Sequence, residues 1–310
     1  MKSAYFRMSV TDRCNFNCYF CHNEGQPKTI TANTPEFLTP ADYGWISKLA
    51  FDYGFRKFKI TGGEPTLRQD LSEIISQIKA AGVQDLSMIT NGARLKFVSA
   101  MLKKAGLGRV NVSLYSLNPK TFVRNQRVSS RFVSEVREGI DAAIACGFGD
   151  IKLNYIVHNA HITDDFEEVI DFAGKRGLTL VLLPLLPISL STQDETVSLS
   201  DLRKMLIGHE ILQEDTIVDQ EGIRKRLLYL SNGAKVLLRS DELAWMEPYN
   251  ACITCDQYHL CREGIFPIRL SARGHLAPCL AGGKDFVDIL PAIKFRDHAM
   301  ILDVFESAIA

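Results

Sequence analysis

The sequence predicts an α/β protein built on a parallel sheet of about six strand–helix units. Six short apolar runs rich in β-branched residues recur along the first two thirds of the chain, and amphipathic helical segments lie between them. The runs do not alternate cleanly in polarity, which is typical of strands in parallel sheets. Strand–helix alternation of this kind implies right-handed crossovers. The pattern alone does not distinguish an open, doubly wound sheet from a partial barrel.

The elements follow in chain order. We predict strands at residues 5–10, 55–60, 86–89, 110–114, 151–157 and 178–183. Thr39 followed by Pro40 predicts the start of a helix, and Thr163 predicts the N-cap of another. Further helices are indicated by apolar faces before Gly82 and Gly147, and glycines predict helix ends at Gly82, Gly147 and Gly177. A hairpin is predicted at residues 268–276.

Composition limits the function. The 310 residues carry no formal net charge, which gives no electrostatic reason to expect nucleic acid or an anionic membrane as a partner. No apolar run reaches the roughly 18 residues that span a bilayer. The N-terminus lacks the pattern of a signal peptide. These features together predict a cytoplasmic protein.

The eight cysteines are grouped. Three lie near the start of the chain and four near its end, while Cys146 stands alone in an apolar helical stretch that suits a small buried side chain. In a long chain without a secretion signal, grouped cysteines bind metal more often than they form disulfides. The two groups are therefore candidate metal sites.

Cys14, Cys18 and Cys21 follow the first predicted strand with the spacing C-x₃-C-x₂-C. Three thiolates can bind three irons of a 4Fe–4S cluster and leave the fourth iron open. S-adenosylmethionine (SAM) can chelate that iron, and an electron from the cluster then yields a 5′-deoxyadenosyl radical. A zinc site with His22 as the fourth ligand is the alternative that the spacing leaves open.

The other unusual loops follow the next two strands. Gly62-Gly63-Glu64-Pro65 comes after the second strand, and Thr90-Asn91-Gly92 comes after the third. Loops beyond the carboxyl ends of parallel strands meet at one side of such a sheet. Two glycines allow close backbone approach to a ligand, and an acidic side chain suits an ammonium group.

The cysteine spacing with Phe20 before the last cysteine, combined with Gly-Gly-Glu-Pro, resembles the radical SAM superfamily. A closer resemblance, over most of the chain from residue 5 to about 282, is to the GTP 3′,8-cyclase family of molybdenum-cofactor biosynthesis (the MoaA group). Segments 6–18, 59–68, 90–92, 109–114, 152–154 and 269–280 carry it. Segment 22–25 looks more like archaeal-type members.

The resemblance implies a partial (β/α)₆ barrel, placed at 1–220, with a C-terminal auxiliary iron–sulfur domain at 221–310. It implies a lyase in which the ribose H3′ of GTP is abstracted and the sugar radical attacks C8 of the purine. The implied partners are an external electron donor of the flavodoxin or ferredoxin kind and, in many members, a second copy of the chain. The implied SAM contacts are Phe20, Gly62, Gly63, Glu64 and Ser113. The implied GTP contacts are Arg7, Lys59, Thr90, Lys152 and Arg269, of which the cations suit phosphates.

Several positions depart from the family pattern. Tyr115 stands where an acidic residue is usual, Val181 and Pro184 stand where an arginine and a glutamate are usual, and Pro267 replaces a second arginine. The chain also ends in Ile309-Ala310 rather than Gly-Gly. These departures leave open a paralogue that acts on another nucleotide or nucleotide-sugar.

Cys252, Cys255, Cys261 and Cys279 form the second group, for which we expect a second 4Fe–4S cluster. The resemblance implies that three of them, Cys252, Cys255 and Cys279, bind it and leave one iron open. Cys261 either completes the cluster or stays free. Its spacing also resembles the auxiliary domains of peptide-modifying radical SAM enzymes, and a Cys₄ zinc site is a further alternative. A non-catalytic iron–sulfur or zinc protein is the alternative from a different functional class.

Overall fold

A computed structural model describes residues 5–22, 38–157, 164–185, 199–218, 224–238, 267–277 and 287–309. The four cysteines of the second group and the predicted N-cap Thr163 lie outside these residues, so their assignments stay predictions. No helix in the described part of the chain is long and apolar enough to cross a membrane.

The described strands form one sheet of twelve, in the order β12-β11-β10-β1-β2-β3-β4-β5-β6-β9-β8-β7. The first six are parallel neighbours in chain order: β1 Tyr5–Ser9, β2 Lys57–Thr61, β3 Asp85–Thr90, β4 Arg109–Ser113, β5 Ile151–Val157 and β6 Thr179–Pro184. The later strands are β7 Ile211–Val218, β8 Arg224–Leu230, β9 Lys235–Leu238, β10 Pro267–Leu270, β11 His275–Ala277 and β12 Val287–Asp288. The six predicted strands are confirmed to within two residues.

Six of the described helices cross between the parallel strands β1 to β6, and three come later in the chain. They are α1 Pro40–Tyr53, α2 Leu71–Ala80, α3 Leu95–Lys104, α4 Pro119–Gln126, α5 Phe132–Ala145, α6 Asp164–Gly174, α7 Leu199–Lys204, α8 Leu290–Phe295 and α9 His298–Ile309. Parallel strands in sequential order with right-handed crossovers place the crossover helices on one face of the sheet. The fold is therefore the expected α/β arrangement with a partial barrel.

Local sequence explains where the helices begin and end. Thr39 caps α1 with a reciprocal pair of hydrogen bonds to Asp42, and Pro40 occupies the first turn, as predicted. Gly82, Gly147 and Gly177 follow helices with positive φ, which confirms the predicted helix ends.

The core lies between the sheet and its helices. The ring of Phe6 on β1 packs against Phe55, Phe58 and Phe305, with centroids 5.5 to 5.8 Å apart. Because side chains alternate along a strand, the neighbours of Phe6 point to the opposite face. We call that opposite face, on the far side from the helices, the inner face.

C-terminal strands extend both edges of the six-stranded core. β9 pairs in parallel with β6, and β10 pairs in parallel with β1. The predicted domain boundary at 220 falls between β7 and β8, which pair with each other in one hairpin. Among the described residues the sheet continues across that boundary, so the division into two domains stays a prediction. The predicted hairpin at 268–276 is confirmed as β10 and β11.

Candidate active site

The first cysteine group lies in a loop that leaves β1 and crosses the C-terminal end of α4. We call residues 11–21 the cysteine loop. Its backbone N–H groups at Asn17 and Tyr19 donate to the last two carbonyls of α4, those of Gln126 and Asn125, at 3.0 and 3.2 Å. These bonds satisfy carbonyls that a helix end otherwise leaves without partners. The helix thereby fixes the two residues that flank Cys18.

An aromatic side chain anchors the same loop in the core. Phe16 packs edge-on against Phe122 of α4 and Phe132 of α5, with ring centroids 5.7 and 5.1 Å apart. Burial of an aromatic ring of this size contributes about 2–3 kcal/mol. The spacing between Cys14 and Cys18 is therefore held by packing as well as by hydrogen bonds.

The three thiols lie close enough to interact electrostatically. Burial, with a smaller contribution from the neighbouring cysteines, raises the pKa of Cys14 to about 11 and that of Cys18 to about 12. Among the described residues no three His, Cys, Asp or Glu side chains converge as ligands of a single metal ion. Thiolates of a 4Fe–4S cluster bind separate irons, so they need not converge on one point as zinc ligands do. Three adjacent thiols on a fixed loop fit such a cluster.

The paired glycines lie directly against the cysteine loop. Gly63 N–H donates to the Thr11 carbonyl at 2.7 Å, and Glu64 N–H donates to the Arg13 carbonyl at 2.8 Å. An added Cβ would lie 2.3 Å from the Thr11 oxygen at Gly62 and 2.2 Å from the Arg13 oxygen at Gly63. Gly62 also has φ +147°, a conformation that other residues rarely adopt. The backbone of the cysteine loop therefore lies so close to Gly62 and Gly63 that it leaves no room for a side chain at either position.

Glu64 connects the loops after β2 and β3 through a buried carboxylate. Its Oε1 accepts from Thr66 N–H at 3.0 Å and from the hydroxyls of Thr66 and Thr90 at 2.5 and 2.6 Å. Its Oε2 accepts from Asn91 N–H at 2.7 Å. Burial raises the pKa of Glu64 above its usual value, although these four donors oppose the rise. The acid thus fixes the loop after β3, and its contact with SAM stays a prediction.

Thr90 is part of this network. Its hydroxyl donates to Glu64 and accepts from Gly92 N–H at 3.1 Å, and the side chain is buried. A contact from Thr90 to substrate stays a prediction, because the structure shows its hydroxyl donating a hydrogen bond to Glu64.

Asn91 is a residue that the sequence reasoning passed over. Its Nδ2 donates to Asn15 Oδ1 at 2.8 Å, and its Oδ1 accepts from Ala93 N–H at 3.1 Å. The side chain therefore joins the loop after β3 to the cysteine loop between Cys14 and Phe16. Its place in the Thr90-Asn91-Gly92 loop was the available signal.

Tyr115 lies beside two of the predicted SAM contacts, Phe20 in space and Ser113 along the chain. Phe20 is buried and packs edge-on against Tyr115, with centroids 4.6 Å apart. Ser113 ends β4, in register with Asn154 on β5. The Tyr115 ring therefore braces the segment before Cys21, in a place where an acidic residue could not pack in the same way.

Four of the predicted substrate residues are cations on the inner face. Arg269, Arg7 and Lys59 occupy one register row across the adjacent strands β10, β1 and β2. We call these three residues the cation row. Three cationic side chains side by side on one face suit an anionic ligand such as a phosphate chain. Lys152 lies on β5 beside Asp150, with Nζ 3.6 Å from the carboxylate.

The hairpin that bears Arg269 also contacts the cysteine loop. Arg273, in the turn between β10 and β11, forms an ion pair with the buried carboxylate of Asp12 at 2.5 Å. Leu38 N–H donates to the Ala272 carbonyl at 3.2 Å. The far C-terminal part of the chain is thereby held beside the first cysteine group.

The departures at strand six and at Pro267 have clear positions. Val181 is buried on β6, in register with Asn154 and Leu237. Pro267 begins β10, and its carbonyl accepts from Arg269 Nη1 at 3.2 Å. The inner face at β6 is consequently apolar where the family pattern has a charge.

A parallel α/β sheet with three cysteines beyond its first strand and a Gly-Gly-Glu-Pro loop beyond its second defines a radical SAM enzyme. The model of the Radical SAM superfamily matches residues 8–173, and the chain belongs to this superfamily. The probable GTP 3′,8-cyclase of Methanococcus vannielii is 31% identical over 289 residues, covering 93% of this chain and 89% of the relative. That of Sulfolobus acidocaldarius is 36% identical over 305 residues, covering 95% and 88%. Within the superfamily, the chain is a member of the family that these relatives form.

Solved structures show the same fold at low identity. SuiB of Streptococcus suis bound to S-adenosylmethionine aligns with a TM-score of 0.65 at 16% identity, and the match covers 98% of this chain and 65% of SuiB. The hydrogenase maturase HydG of Carboxydothermus hydrogenoformans aligns with a TM-score of 0.52 at 17% identity, covering 98% and 67%. The chain thus spans about two thirds of the length of these two proteins, and the likeness concerns the fold.

Proposed function

We propose that this enzyme cyclises GTP between ribose C3′ and purine C8, as the name of its relatives describes. Relatives of that name are 30–36% identical over nearly the whole chain. The observation of this chain that carries the proposal is the cation row on the inner face. A triphosphate is the part of GTP that such a row would recognise.

We assign the following roles to residues of this chain. Cys14, Cys18 and Cys21 hold the cluster; when bound, the cluster and SAM supply the 5′-deoxyadenosyl radical. Phe20, Gly62, Gly63, Glu64 and Ser113 seat SAM. Arg7, Lys59, Lys152 and Arg269 bind the nucleotide phosphates. These residues orient the ribose C–H toward the radical site and exclude water, while the cofactor supplies the difficult chemistry.

The finer partners are also proposals. A second, auxiliary cluster is held by cysteines of the group at 252–279, an external flavodoxin-like or ferredoxin-like protein donates the electron, and the enzyme works in the cytoplasm as a homodimer. These statements rest on the resemblance and on the composition of the chain.

Anaerobic turnover tests the proposed function. The reconstituted full-length protein receives SAM and a reductant with GTP, with other nucleotides, or with none, and mass spectrometry follows 5′-deoxyadenosine and new products. We expect GTP to stimulate 5′-deoxyadenosine release and to yield a cyclised isomer of GTP. Cys18→Ala should abolish both. Cleavage of SAM with unchanged GTP would contradict GTP as the substrate but would still agree with a radical SAM enzyme.

A second candidate is a paralogue that acts on another nucleotide or nucleotide-sugar. The apolar inner face at Val181 favours it, because a charged contact of the family pattern is missing there. The same panel distinguishes the two, since a different nucleotide would then stimulate 5′-deoxyadenosine release.

A further inference from the structure

One buried polar side chain beside the cysteine loop has no role in the scheme above. Gln126, the last residue of α4, is 1% exposed. Its side-chain Nε2 and Oε1 are both buried, and neither forms a hydrogen bond. A buried amide without partners is costly, and native proteins rarely keep one without a reason.

The position of Gln126 points it toward the cysteine loop. It lies one helical turn after Phe122, so the two side chains share one face of α4. Phe122 contacts Phe16 of the cysteine loop on that face. The backbone carbonyl of Gln126 accepts from Asn17 N–H, the residue directly before Cys18.

Cys18 is the cysteine whose two chain neighbours are bound by this helix end. Its side chain is partly buried and packs against the hydrophobic core that contains Phe16 and Phe122. The residues on both sides of it, Asn17 and Tyr19, are bound by the last two carbonyls of α4. The Gln126 amide and Cys18 therefore belong to the same contact between the end of α4 and the cysteine loop.

We propose that Gln126 is a positioning residue whose Nε2–H donates a hydrogen bond to the Cys18 thiolate when Cys18 ligates the cluster. A thiolate is a charged acceptor, so the bond is charge-assisted. Hydrogen bonds to the sulfurs of iron–sulfur clusters tune their reduction potential. Because the donor stabilises the more negative, reduced cluster, Gln126 raises the potential of the site. The inference rests on the cluster and is independent of the nucleotide substrate.

Gln126→Met tests the proposal, because methionine keeps the length of the side chain and removes the donor. The midpoint potential of the reconstituted protein is measured by EPR-monitored redox titration without nucleotide, and the SAM-binding cluster is identified as the signal that changes when SAM is added. We expect a more negative midpoint in Gln126→Met. The cluster-free variant should unfold at a higher temperature than the cluster-free wild type, because an unpartnered amide has left the core.

Gln77→Met is the matched control, since Gln77 is exposed on α2, and it should change neither quantity. If Gln126→Met fails to load iron, Gln126→Asn carries the test: it keeps the amide, shortens its reach, and should shift the midpoint in the same direction. An unchanged midpoint in a loaded variant would overturn the proposal, whether or not the cluster-free protein is stabilised. Because no nucleotide is present, a wrong substrate assignment leaves this result unaffected.

Discussion

At the scale of single residues, Glu64 organises the site through its four hydrogen bonds. Glu64→Gln replaces one carboxylate oxygen by an NH₂ group, and in either orientation that group faces a backbone N–H, of Thr66 or of Asn91. We therefore expect the variant to be less stable by about 1–3 kcal/mol at neutral pH. Urea denaturation of the cluster-free protein measures the difference.

The same carboxyl predicts a pH dependence. Because the pKa of Glu64 is raised on folding, the folded state binds its proton more tightly than the unfolded state. Its contribution to stability is then greatest below the ordinary glutamate pKa and falls as pH rises through that value toward the folded pKa. Glu64→Gln should lose this slope. Glu73→Gln on the surface of α2 should keep it and stay within about 0.5 kcal/mol of wild type; equal slopes in wild type and Glu64→Gln would contradict the assignment.

Residue types and spacing were enough to predict the cysteine triad and the Gly-Gly-Glu-Pro loop as one site. They did not predict the bond between Asn91 and Asn15, or that the Thr90 hydroxyl donates to Glu64. These contacts depend on how the loops after β1, β2 and β3 meet, which the register of the strands decides. The local sequence around each loop does not specify that register.

At the scale of elements, the Gly-Gly loop and the cysteine loop form one packed unit. A Cβ at Gly63 would lie 2.2 Å from the Arg13 carbonyl oxygen, and backbone cannot yield as a flexible side chain can. We expect Gly63→Ala to destabilise the cluster-free protein by at least about 2 kcal/mol and to reduce iron bound after reconstitution. Urea denaturation and iron analysis measure the two effects.

Gly149→Ala is the comparison for that variant. A Cβ at Gly149 would meet no atom within 4 Å, so the same substitution should be neutral or stabilise by up to about 1 kcal/mol. Should Gly63→Ala load iron and unfold like Gly149→Ala, the two loops would not pack as described.

Strands and helix ends were predictable because apolar runs and glycines are local signals. The pairing of β1 with β10 was not, because its partners, Tyr5 and Pro267, lie at opposite ends of the chain. The sequence marked a hairpin at 268–276 and a boundary near 220, and both follow from local composition. Only the register shows that β10 continues the sheet of the first six strands.

At the scale of the whole molecule, the cation row is assembled from both ends of a chain that has no net charge. Affinity for a polyanion must then come from this local arrangement rather than from the overall charge. A ligand that binds only the folded state raises its stability by about 2.7 kcal/mol at 100 times its Kd. Inorganic triphosphate is a suitable probe, because it presents the phosphates without base or ribose.

Lys59→Met tests whether the cation row binds the phosphates. Methionine retains an apolar stem beside the Tyr5 ring, which lies 5.7 Å from Lys59 Nζ, and removes one of three adjacent like charges. We expect the variant to lose most of the stabilisation by triphosphate. Thermal unfolding with and without triphosphate, at low and high salt, measures this loss. Lys48→Met, at an exposed position of α1, should retain the full triphosphate effect; if it lost as much as Lys59→Met, triphosphate would bind elsewhere than on the inner face.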